Sequence, residues 1–377
     1  MCLFLEYCGA EGILEPHFVV LTIYRILTAE SFPVFSRKHD MSEIVLSGIR
    51  ATGALHLGNY LGAMRQFVAM QDLPDTTCLY FIADIHTLTD LPDPDELRDD
   101  LIGIATGYLA AGLDPERSIL YTQSSVPEIT ELAVLLGNLI PVSELLRLPQ
   151  YQAKADSGAS LGLLFYPVLM AADILGPKAT QVPVGEDQLK HLEMAQDIAR
   201  RFNNRYGDVF PRPEALKEEA IRVPGLDGSG KMSKSAGNTI DLTDHGDDLF
   251  QKVRPAKTDP ARQLRTDPGN PEVCNIFTLH QFVTPGGEGG GQLGEIVRGC
   301  KQANIGCVDC KRVLCTNLDD MLASYRERHE EFADRPHEVR EILFEGGKRA
   351  RVLFRETILE VRDAMGLPNH LLAPEGG

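Results

Sequence analysis

The sequence predicts an α/β fold, in which helices cover a parallel β-sheet, followed by a helical C-terminal domain. From Ile44 onward, short apolar runs alternate with longer amphipathic segments, as is typical of strands and helices that alternate along a chain. Beyond Asp241 the character changes, and the last part of the chain reads as helices separated by turns. At 377 residues with 43% hydrophobic content, the chain can bury a large core and carry a second, smaller domain.

The individual elements follow from the spacing of apolar residues. Short apolar runs predict strands at residues 44–47, 79–84 and 118–123. Apolar residues three and four positions apart predict helices at residues 57–70, 94–111, 161–175 and 186–206. Nearer the C-terminus we predict a turn-rich stretch at 255–271, a flexible glycine-rich insertion at 286–291 and helices over 318–365.

These patterns also predict the limits of the domains. Residues 1–40 show no clear period, and Met41 stands immediately before the first strand. We therefore expect residues 1–40 to be an N-terminal extension that is either not native or disordered, with Met41 as the candidate start. The α/β domain is expected at residues 41–240 and the helical domain at residues 241–377.

Charge and hydropathy argue against some classes of protein. The formal net charge of -17 disfavours nonspecific nucleic-acid binding by the whole surface, although a local basic face could still bind an RNA. The longest apolar candidate, residues 18–27, contains Arg25 and is shorter than the roughly 20 residues of a membrane span. Glutamates precede it, where a secretory signal would carry positive charge. We expect a cytoplasmic protein without a membrane segment.

A first cluster of polar residues, His56-Leu57-Gly58-Asn59, opens the helix that follows the first strand. Free backbone N–H groups and the helix dipole favour phosphate at such a helix start. Small residues between Ser47 and Gly53 let the backbone approach a ligand closely, and His56 and Asn59 add neutral hydrogen-bond donors. The pattern indicates a triphosphate-binding site, although an ordinary helix start would look the same when taken alone.

A second cluster, Lys231-Met232-Ser233-Lys234-Ser235, follows Gly228 and Gly230 in a loop. Two lysines on a mobile loop suit the negative charge that grows on departing pyrophosphate. A lysine pair in a loop is usually a solvated charge pair. The five-residue string is more specific, and together the two clusters indicate a site that acts on ATP.

With these residues the chain resembles class I aminoacyl-tRNA synthetases, whose two signatures are a HIGH-like element, here HLGN, and KMSKS. Within that class it looks like the bacterial-type tryptophanyl-tRNA synthetases. The supporting segments are SGIRATGALHLGNYLGA (47–63), FIADIHTLT (81–89), YPVLMAADIL (166–175) and VPVGEDQLKHLE (182–193). The resemblance implies a Rossmann-like catalytic domain, a helical anticodon-binding domain, ATP, Mg²⁺, L-tryptophan and tRNA(Trp) as ligands, and a homodimer.

The resemblance also assigns site residues. It implies a catalytic set of His56, Asn59, Lys231 and Lys234, and an ATP site of Arg50, Thr52, Gly58, Asn59, Gly185, Asp187, Lys231, Met232, Ser233 and Lys234. Arg50 stands where many relatives carry glutamine, so its guanidinium either contacts a substrate carboxylate or phosphate or faces solvent. The tryptophan site would comprise Leu46, His86, Tyr166, Met170, Asp173, Ile174, Val182, Val184 and Gln188.

Chemistry independently supports tryptophan at this pocket. The indole N–H donates a hydrogen bond and cannot accept one, so its pocket needs a fixed acceptor in apolar surroundings. Asp173, with Met170 and Ile174 nearby, fits that need. A buried capping or core aspartate is the alternative interpretation.

Four cysteines give a second signal, C-x25-C-x6-C-x2-C, formed by Cys274, Cys300, Cys307 and Cys310. Four thiolates suit a 4Fe-4S cluster or a structural zinc ion, and spacing cannot choose between these metals. The motif is similar to that of a minority of tryptophanyl-tRNA synthetases that carry a 4Fe-4S cluster, which favours iron. Free thiols or disulfides are the remaining alternatives, and disulfides rank low in a reducing cytosol.

Other functions remain open on the sequence alone. A tyrosyl-tRNA synthetase shares both ATP signatures, although MAADIL and GEDQ favour tryptophan. A nucleotidyltransferase that charges no tRNA is a second alternative, which the long helical C-terminal part disfavours. An RNA-binding metal protein on an inactive synthetase scaffold is a third, and it would need a disrupted active site. Basic residues near the cysteines and on the last helix, namely Lys301, Lys311, Arg312, Lys348, Arg349, Arg351 and Arg355, form a candidate surface for tRNA phosphates or merely a solvated helix face.

Overall fold

In the computed structural model of the chain, the described residues are 43–152, 159–185, 188–216 and 222–368. The predicted N-terminal extension, residues 1–40, lies outside them. So does Asp187, one of the predicted ATP-binding residues.

A parallel five-stranded sheet lies at the centre of the α/β part and confirms the predicted fold class. Its strand order is β3-β2-β1-β4-β5, so the first strand pairs with β2 on one side and β4 on the other. Val45 is aligned with Cys78 of β2 and with Gln181 of β4. The strands are β1 (Glu43–Arg50), β2 (Thr76–Ala83), β3 (Ser118–Thr122), β4 (Gln181–Pro183) and β5 (Glu214–Leu216).

All three predicted strands are found at their predicted places. Strand β2 is apolar along most of its length because helices cover both faces of the sheet, as is usual in parallel sheets. The strands β4 and β5 were missed. Each has only three residues, which is too short for an apolar run to stand out.

Helices before and between the strands cover the sheet. They are α1 (Leu57–Asn59), α2 (Arg65–Met70), α3 (Asp84–Thr87), α4 (Pro94–Ala111), α5 (Glu128–Gly137), α6 (Val142–Leu145), α7 (Pro149–Gln152), α8 (Leu161–Leu175) and α9 (Leu189–Tyr206). The predictions for 94–111 and 161–175 agree with α4 and α8 residue for residue. Between α1 and α2, residues Tyr60–Met64 form a π-helical segment, so the predicted helix 57–70 is one helical path in which a π-helical segment separates two α-helical ones.

Helices also make up the C-terminal part, as predicted. They are α10 (Gly246–Val253), α11 (Asn275–Val283), α12 (Gly291–Lys301), α13 (Cys307–Ala333) and α14 (Pro336–Ala364). The predicted turn-rich stretch 255–271 contains turns and bends and ends in a short 3-10 helix. The glycine-rich insertion forms a tight turn closed by a β-bridge between Gly287 and Gly290.

The C-terminal helices pack directly on the sheet and its flanking helices. Helix α13 lies against α4, and α14 lies against the edge strand β3. Contact with β3 is so close that a Cβ atom added to Gly346 would lie 1.7 Å from the Leu120 carbonyl oxygen. A separate apolar cluster under α10, α11 and α13 joins Leu57 and Met232 of the two predicted ATP clusters to the C-terminal part.

The topology places a crevice at the carboxyl ends of β1 and β4. From β1 the chain continues to β2 and β3 on one side of the sheet, whereas β4 and β5 lie on the other side of β1. The strand order therefore changes direction between β1 and β4. Ligands bind preferentially at such a switch point. Among the described residues, no helix is both long enough and apolar enough to cross a membrane.

Candidate active site

A cavity of about 440 Å³ opens at the carboxyl ends of β1 and β2, beneath α8. Six residues predicted for the ATP or amino-acid site converge on it: Arg50, His86, Tyr166, Met170, Asp173 and Gln188. The remaining lining residues are Gly48, Phe81, Ala83, Thr89 and Leu163. The wall is mostly apolar, with a few polar groups, as is typical of a small-molecule site.

Asp173 lies at the bottom of this cavity and is 1% exposed. Gln123 Nε2 lies 2.9 Å from Asp173 Oδ1 and 2.8 Å from Oδ2, and donates to the carboxyl group. Burial raises the pKa of Asp173 well above its ordinary value, the Gln123 hydrogen bonds oppose that rise, and the charge of Asp84 adds to it. The structure thus places this carboxyl group in a mostly apolar cavity, where the sequence analysis expected an acceptor.

His86 and Tyr166 stand beside Asp173 and form one side of the cavity. His86 Nδ1 is 3.8 Å from Asp173 Oδ2, and burial lowers the pKa of His86 to about 4 despite its hydrogen bond with Gln123. The imidazole is therefore neutral near pH 7. The Tyr166 ring meets the His86 ring edge-on, and the Tyr166 hydroxyl is 2.9 Å from His191 Nε2.

The other predicted tryptophan-site residues fall into two groups. Val184 lines an adjoining cavity of about 220 Å³, together with Gly185 and Gln188. Three others, Leu46, Ile174 and Val182, are at most 3% exposed and belong to the apolar core behind the cavities. These three side chains line neither cavity, and they pack behind the residues that do.

The first ATP cluster is a capped helix start. His56 Nδ1 accepts a hydrogen bond from Gly58 N at 3.1 Å, and Asn59 Oδ1 accepts one from His56 N at 3.1 Å. Burial, and after it the nearby Lys234 charge, lower the pKa of His56 to about 4. Since Nδ1 of the neutral ring is an acceptor, the proton sits on Nε2, and Asn59 keeps its Nδ2 donors. The two side chains thus retain donors for a ligand, as predicted.

The loop with the two lysines meets this cluster. The Lys234 ammonium donates to the Thr52 carbonyl oxygen, and its side chain lies beside Gly53. Gly53 N in turn donates to Asp100 Oδ2 at 2.6 Å. Burial lowers the pKa of Lys234, while Asp100 and Asp241 oppose the shift. The structure therefore brings Thr52 and Lys234 together, although they are 182 residues apart.

The remaining residues of the lysine loop, and Arg50 of the predicted ATP site, differ in burial and in the contacts that they make. Met232 is 4% exposed and packs into the apolar cluster that contains Leu57. Ser233 N donates to Asn238 Oδ1 at 2.8 Å, which fixes the backbone of the loop. Lys231 is exposed and forms a β-bridge with Pro224. Arg50 binds Asp90 at 2.5 Å while also lining the main cavity.

The four predicted metal ligands lie on neighbouring C-terminal elements. Cys274 precedes α11, Cys300 lies near the end of α12, and Cys307 and Cys310 lie in the first turn of α13. Burial and then the charges of the other three cysteines raise the pKa of Cys310 to about 12. Within the described ranges, however, no three His, Cys, Asp or Glu side chains are arranged to hold a metal ion.

Two residues of the site were missed by the sequence analysis. Gln123 follows β3 and reaches Asp173, and Asp100 on α4 binds the loop after β1. The available signal for Gln123 was its place at the carboxyl end of a parallel strand, where functional side chains of α/β folds collect. Asp100 lies within a run of acidic residues on a helix and carried no comparable signal.

Comparisons with known proteins agree with this geometry. The pattern of the family "tRNA synthetases class I (W and Y)" matches residues 38–323. The chain is 43% identical over 327 residues to a tryptophan–tRNA ligase of Deinococcus radiodurans, covering 85% of this chain and 98% of that protein. It is 44% identical over 329 residues to one of Thermotoga maritima, covering 86% and 99%.

Solved structures give the same result. The tryptophanyl-tRNA synthetase of Campylobacter jejuni, complexed with ADP and tryptophan, superposes with a TM-score of 0.77 at 36% identity. That match covers 86% of this chain and all of the other. The enzyme from Mycoplasma pneumoniae follows with a TM-score of 0.75 at 28% identity, covering 88% of this chain and all of the other.

Proposed function

The chain belongs to the class I tRNA synthetases of the tryptophan and tyrosine family and acts as a tryptophan–tRNA ligase, and from this premise we propose which residues carry the reaction. It activates L-tryptophan with ATP to give tryptophanyl-adenylate and pyrophosphate, and then transfers the tryptophanyl group to tRNA(Trp). We assign the cavity at Asp173 to tryptophan and the surface between His56 and Lys234 to the phosphates of ATP.

The buried carboxyl group of Asp173 is the observation that carries the amino-acid assignment. It provides an acceptor for the indole N–H at the bottom of an apolar cavity, and Met170 lies one helical turn away to pack on the ring. A site built around a hydrogen bond rejects analogues that lack the donor, because the acceptor is then left unpaired in a dry pocket. Phenylalanine would be rejected in this way.

The ATP assignment rests on donors that converge at the start of α1. His56 Nε2 and Asn59 Nδ2 keep their protons available, and Lys234 stands beside Thr52 and Gly53. Gly185 lines the smaller cavity next to Gln188. Mg²⁺ carried by the nucleotide would further screen the phosphate charge.

Activation needs no general base in this arrangement. The carboxylate of tryptophan is ionised already, attacks the α-phosphorus of ATP, and the bond from that phosphorus to the bridging oxygen of pyrophosphate breaks. The residues therefore act by holding the reactants in line and by stabilising charge. Lys234 is placed to meet the growing charge of pyrophosphate, and Lys231 would join it if the exposed loop closes over ATP.

Exchange of labelled pyrophosphate into ATP tests both assignments. We expect exchange with tryptophan and, at equal concentration, far less with tyrosine or phenylalanine. Asp173→Asn keeps the shape of the side chain but replaces one oxygen by a donor, so kcat/KM for tryptophan should fall by about tenfold to a hundredfold. Exchange that is stronger with tyrosine, or an Asp173→Asn variant with wild-type kcat/KM for tryptophan, would contradict the assignment of the cavity.

For the cysteine motif we propose a 4Fe-4S cluster held by Cys274, Cys300, Cys307 and Cys310, with structural zinc as the alternative. The mutual effect of the thiols on their pKa values supports one shared site. Arg262 offers a second argument: its Nε is buried without a hydrogen-bond partner in the described part of the chain, and its Nη1 lies 3.9 Å from Cys300 Sγ. A cation in this position suits the negative charge of a tetrathiolate site.

Several basic residues suggested for tRNA binding have partners within the chain. Lys311 is 6% exposed and donates to the Arg254 and Ala256 carbonyl oxygens at 2.6 Å. Arg351 binds Glu128 at 2.8 Å, and Arg349 donates to the Pro115 carbonyl oxygen. These side chains hold the helices in place, so tRNA contact by the last helix has less support than the sequence indicated.

We also propose that the protein forms a homodimer, and a cytoplasmic location stays a prediction. Four large apolar side chains on α5, α6 and the start of α8 are between 42% and 77% exposed, namely Val134, Val142, Leu146 and Leu161. Exposed apolar side chains grouped on neighbouring elements are typical of surfaces that bind a partner.

A further inference from the structure

Gln123 connects the two polar side chains of the tryptophan cavity. Its carboxamide is fully buried at the carboxyl end of β3. Nε2 donates to both oxygens of Asp173, at 2.9 Å and 2.8 Å. Oε1 accepts from His86 N at 3.2 Å, and His86 Nδ1 lies 2.9 Å from Nε2 and 3.1 Å from Oε1. One neutral side chain therefore forms hydrogen bonds both with Asp173, the acceptor proposed to recognise the indole, and with His86 beside it.

The orientation of this amide is fixed by a backbone group. His86 N can only donate a hydrogen bond, so the amide atom that faces it must be the oxygen. The amide nitrogen then has to face Asp173. A reversed amide would place two donors against each other at His86 and two acceptors against each other at Asp173, both without access to water.

Donation from Gln123 leaves room for a substrate. Each carboxylate oxygen of Asp173 can accept two hydrogen bonds, and Gln123 occupies one position on each. The indole N–H of a bound tryptophan can therefore be accepted without displacing Gln123. Burial and the nearby Asp84 carboxylate both favour the neutral acid at Asp173, whereas donation from Gln123 favours the carboxylate.

We propose that Gln123 is a positioning residue that holds the carboxyl group of Asp173 as an acceptor directed at the cavity, and so sets the selectivity of the enzyme for a side chain with a ring N–H. This inference rests on the proposed role of Asp173. Gln123 acts through Asp173 and, on the present geometry, lines no part of the main cavity itself.

Selectivity tests this role better than activity does. The probe is the tryptophan analogue in which a benzothiophene replaces indole, so that sulfur stands in the place of the N–H group. The measured quantity is the ratio of kcat/KM for tryptophan to kcat/KM for the analogue, in pyrophosphate exchange. In Gln123→Leu, Asp173 loses the donor that fixes its direction and favours its carboxylate form, so the neutral acid is favoured further, and an unpaired neutral acid costs less than an unpaired carboxylate. We expect the ratio to fall at least tenfold.

A merely structural role would give a different result. If Gln123→Leu loosened the pocket without changing Asp173, both substrates would lose kcat/KM to a similar degree and the ratio would stay at its wild-type value. That outcome would overturn the inference. Asp173→Asn distinguishes the role of Asp173 from that of Gln123. Unchanged selectivity in Asp173→Asn would exclude the role of Asp173. If selectivity is lost in Asp173→Asn and retained in Gln123→Leu, only the role of Gln123 is excluded.

Gln123→Glu provides a second variant of nearly the same shape. A neutral glutamic acid can accept from His86 N and donate to Asp173, as glutamine does, whereas an ionised glutamate can only accept. The two carboxyl groups share a proton more readily at low pH. Selectivity of this variant should therefore recover at pH 6 relative to pH 8.5. A pH-independent ratio equal to that of Gln123→Leu would contradict the hydrogen-bond argument.

The pH comparison has to account for the other titratable groups around Gln123. These are Asp173 on α8, Asp84 and His86 on α3, and Tyr121 on β3. All four are present in the wild-type enzyme, so the change in ratio between pH 6 and pH 8.5 is compared with that of the wild type.

Gln71 is a matched control at the opposite end of β3. Its Oε1 accepts from Asp114 N at 3.0 Å and from Ser118 Oγ at 3.2 Å, and its Nε2 donates to the Gly112 carbonyl oxygen. Gln71→Leu removes a comparable set of hydrogen bonds from the start of β3 and the loop before it, at the end of the strand away from Gln123. We expect it to lower stability and to leave the selectivity ratio unchanged.

Discussion

Lys234 is the residue on which the proposed phosphate site depends most. It is the cation that the structure places beside Thr52 and Gly53, where the loop after β1 meets the lysine loop. Removing a group that stabilises charge in the transition state typically costs about 10²–10³-fold in kcat. Lys234→Ala should therefore slow tryptophan-dependent pyrophosphate exchange by about this factor, while the KM for tryptophan changes little.

The KM for tryptophan decides between this interpretation and a general disturbance of the site. A parallel rise of the KM for tryptophan would mean that Lys234 shapes the amino-acid pocket. Lys348→Ala serves as the control, because Lys348 is an exposed lysine that binds Glu345 on α14. Unchanged exchange in Lys234→Ala would exclude a role in the departure of pyrophosphate.

Single residues differ in how far the sequence predicts their role. Asp173 could be predicted because a carboxyl group within an apolar helical segment needs a reason to be there. For Gln123 the sequence offers only its place after a strand, which does not reveal its partner 50 positions away. The family resemblance assigns Ile174 and Val182 to the pocket, and the structure places both in the apolar core beside it.

Helix α14 is the element whose packing depends most on one small residue. Gly346 lets the helix backbone approach the Leu120 carbonyl oxygen, and no side-chain movement can make room for a Cβ atom at 1.7 Å from a backbone atom. The helix or the strand has to shift. Gly346→Ala should lower the free energy of unfolding by about 3 kcal/mol or prevent folding, measured by urea denaturation.

Gly103 offers the opposite case on α4. A Cβ atom added there meets nothing within 4 Å. Gly103→Ala should raise the free energy of unfolding by about 0.5–1 kcal/mol, because alanine has fewer conformations to lose on folding. Equal effects of the two substitutions would show that close approach at Gly346 is not what holds α14 against the sheet.

Regular elements were predicted well where length or periodicity made them distinct. Helix α4 has 18 residues, so its apolar spacing repeats over five helical turns, and a proline marks its start. Both ends were therefore predicted correctly. The π-helical segment at Tyr60–Met64 was not, because its residues have the same apolar spacing as an α-helix and differ only in hydrogen bonding. The three-residue strands are recognised only through their partners in the sheet.

The proposed metal site belongs to the scale of the whole molecule, because its four thiols lie on two helices and on the residue that precedes a third. Protein purified without oxygen should be brown and contain about four iron atoms per chain. Cys310→Ser should lose the metal and weaken the C-terminal part, while tryptophan-dependent pyrophosphate exchange persists, since the activation cavity lies elsewhere. Charging of tRNA is expected to suffer more than exchange.

Cys315→Ser is the matched control for this experiment. Cys315 lies on the same helix as Cys310 and is buried, but it stands outside the motif. Metal content should not change in this variant. A colourless wild-type protein with one zinc ion per chain would show that the site holds zinc and not a 4Fe-4S cluster. A metal-free wild-type protein would exclude a metal site at these cysteines.

The arrangement of the C-terminal part could be predicted only in outline. Its helical character follows from the sequence, and the α/β class was confirmed. That α13 lies along α4 and α14 along β3 follows from contacts between residues more than 200 positions apart, which no local pattern reveals.

The packing of α14 on β3 has a consequence for synthesis of the chain on the ribosome. All five strands lie before residue 217, so the sheet can assemble while the last helix is still inside the exit tunnel. During that interval β3 presents an unpaired edge, which is a template for pairing with other nascent chains. Synthesis of α14 covers this edge, and truncated chains that end before α14 should aggregate.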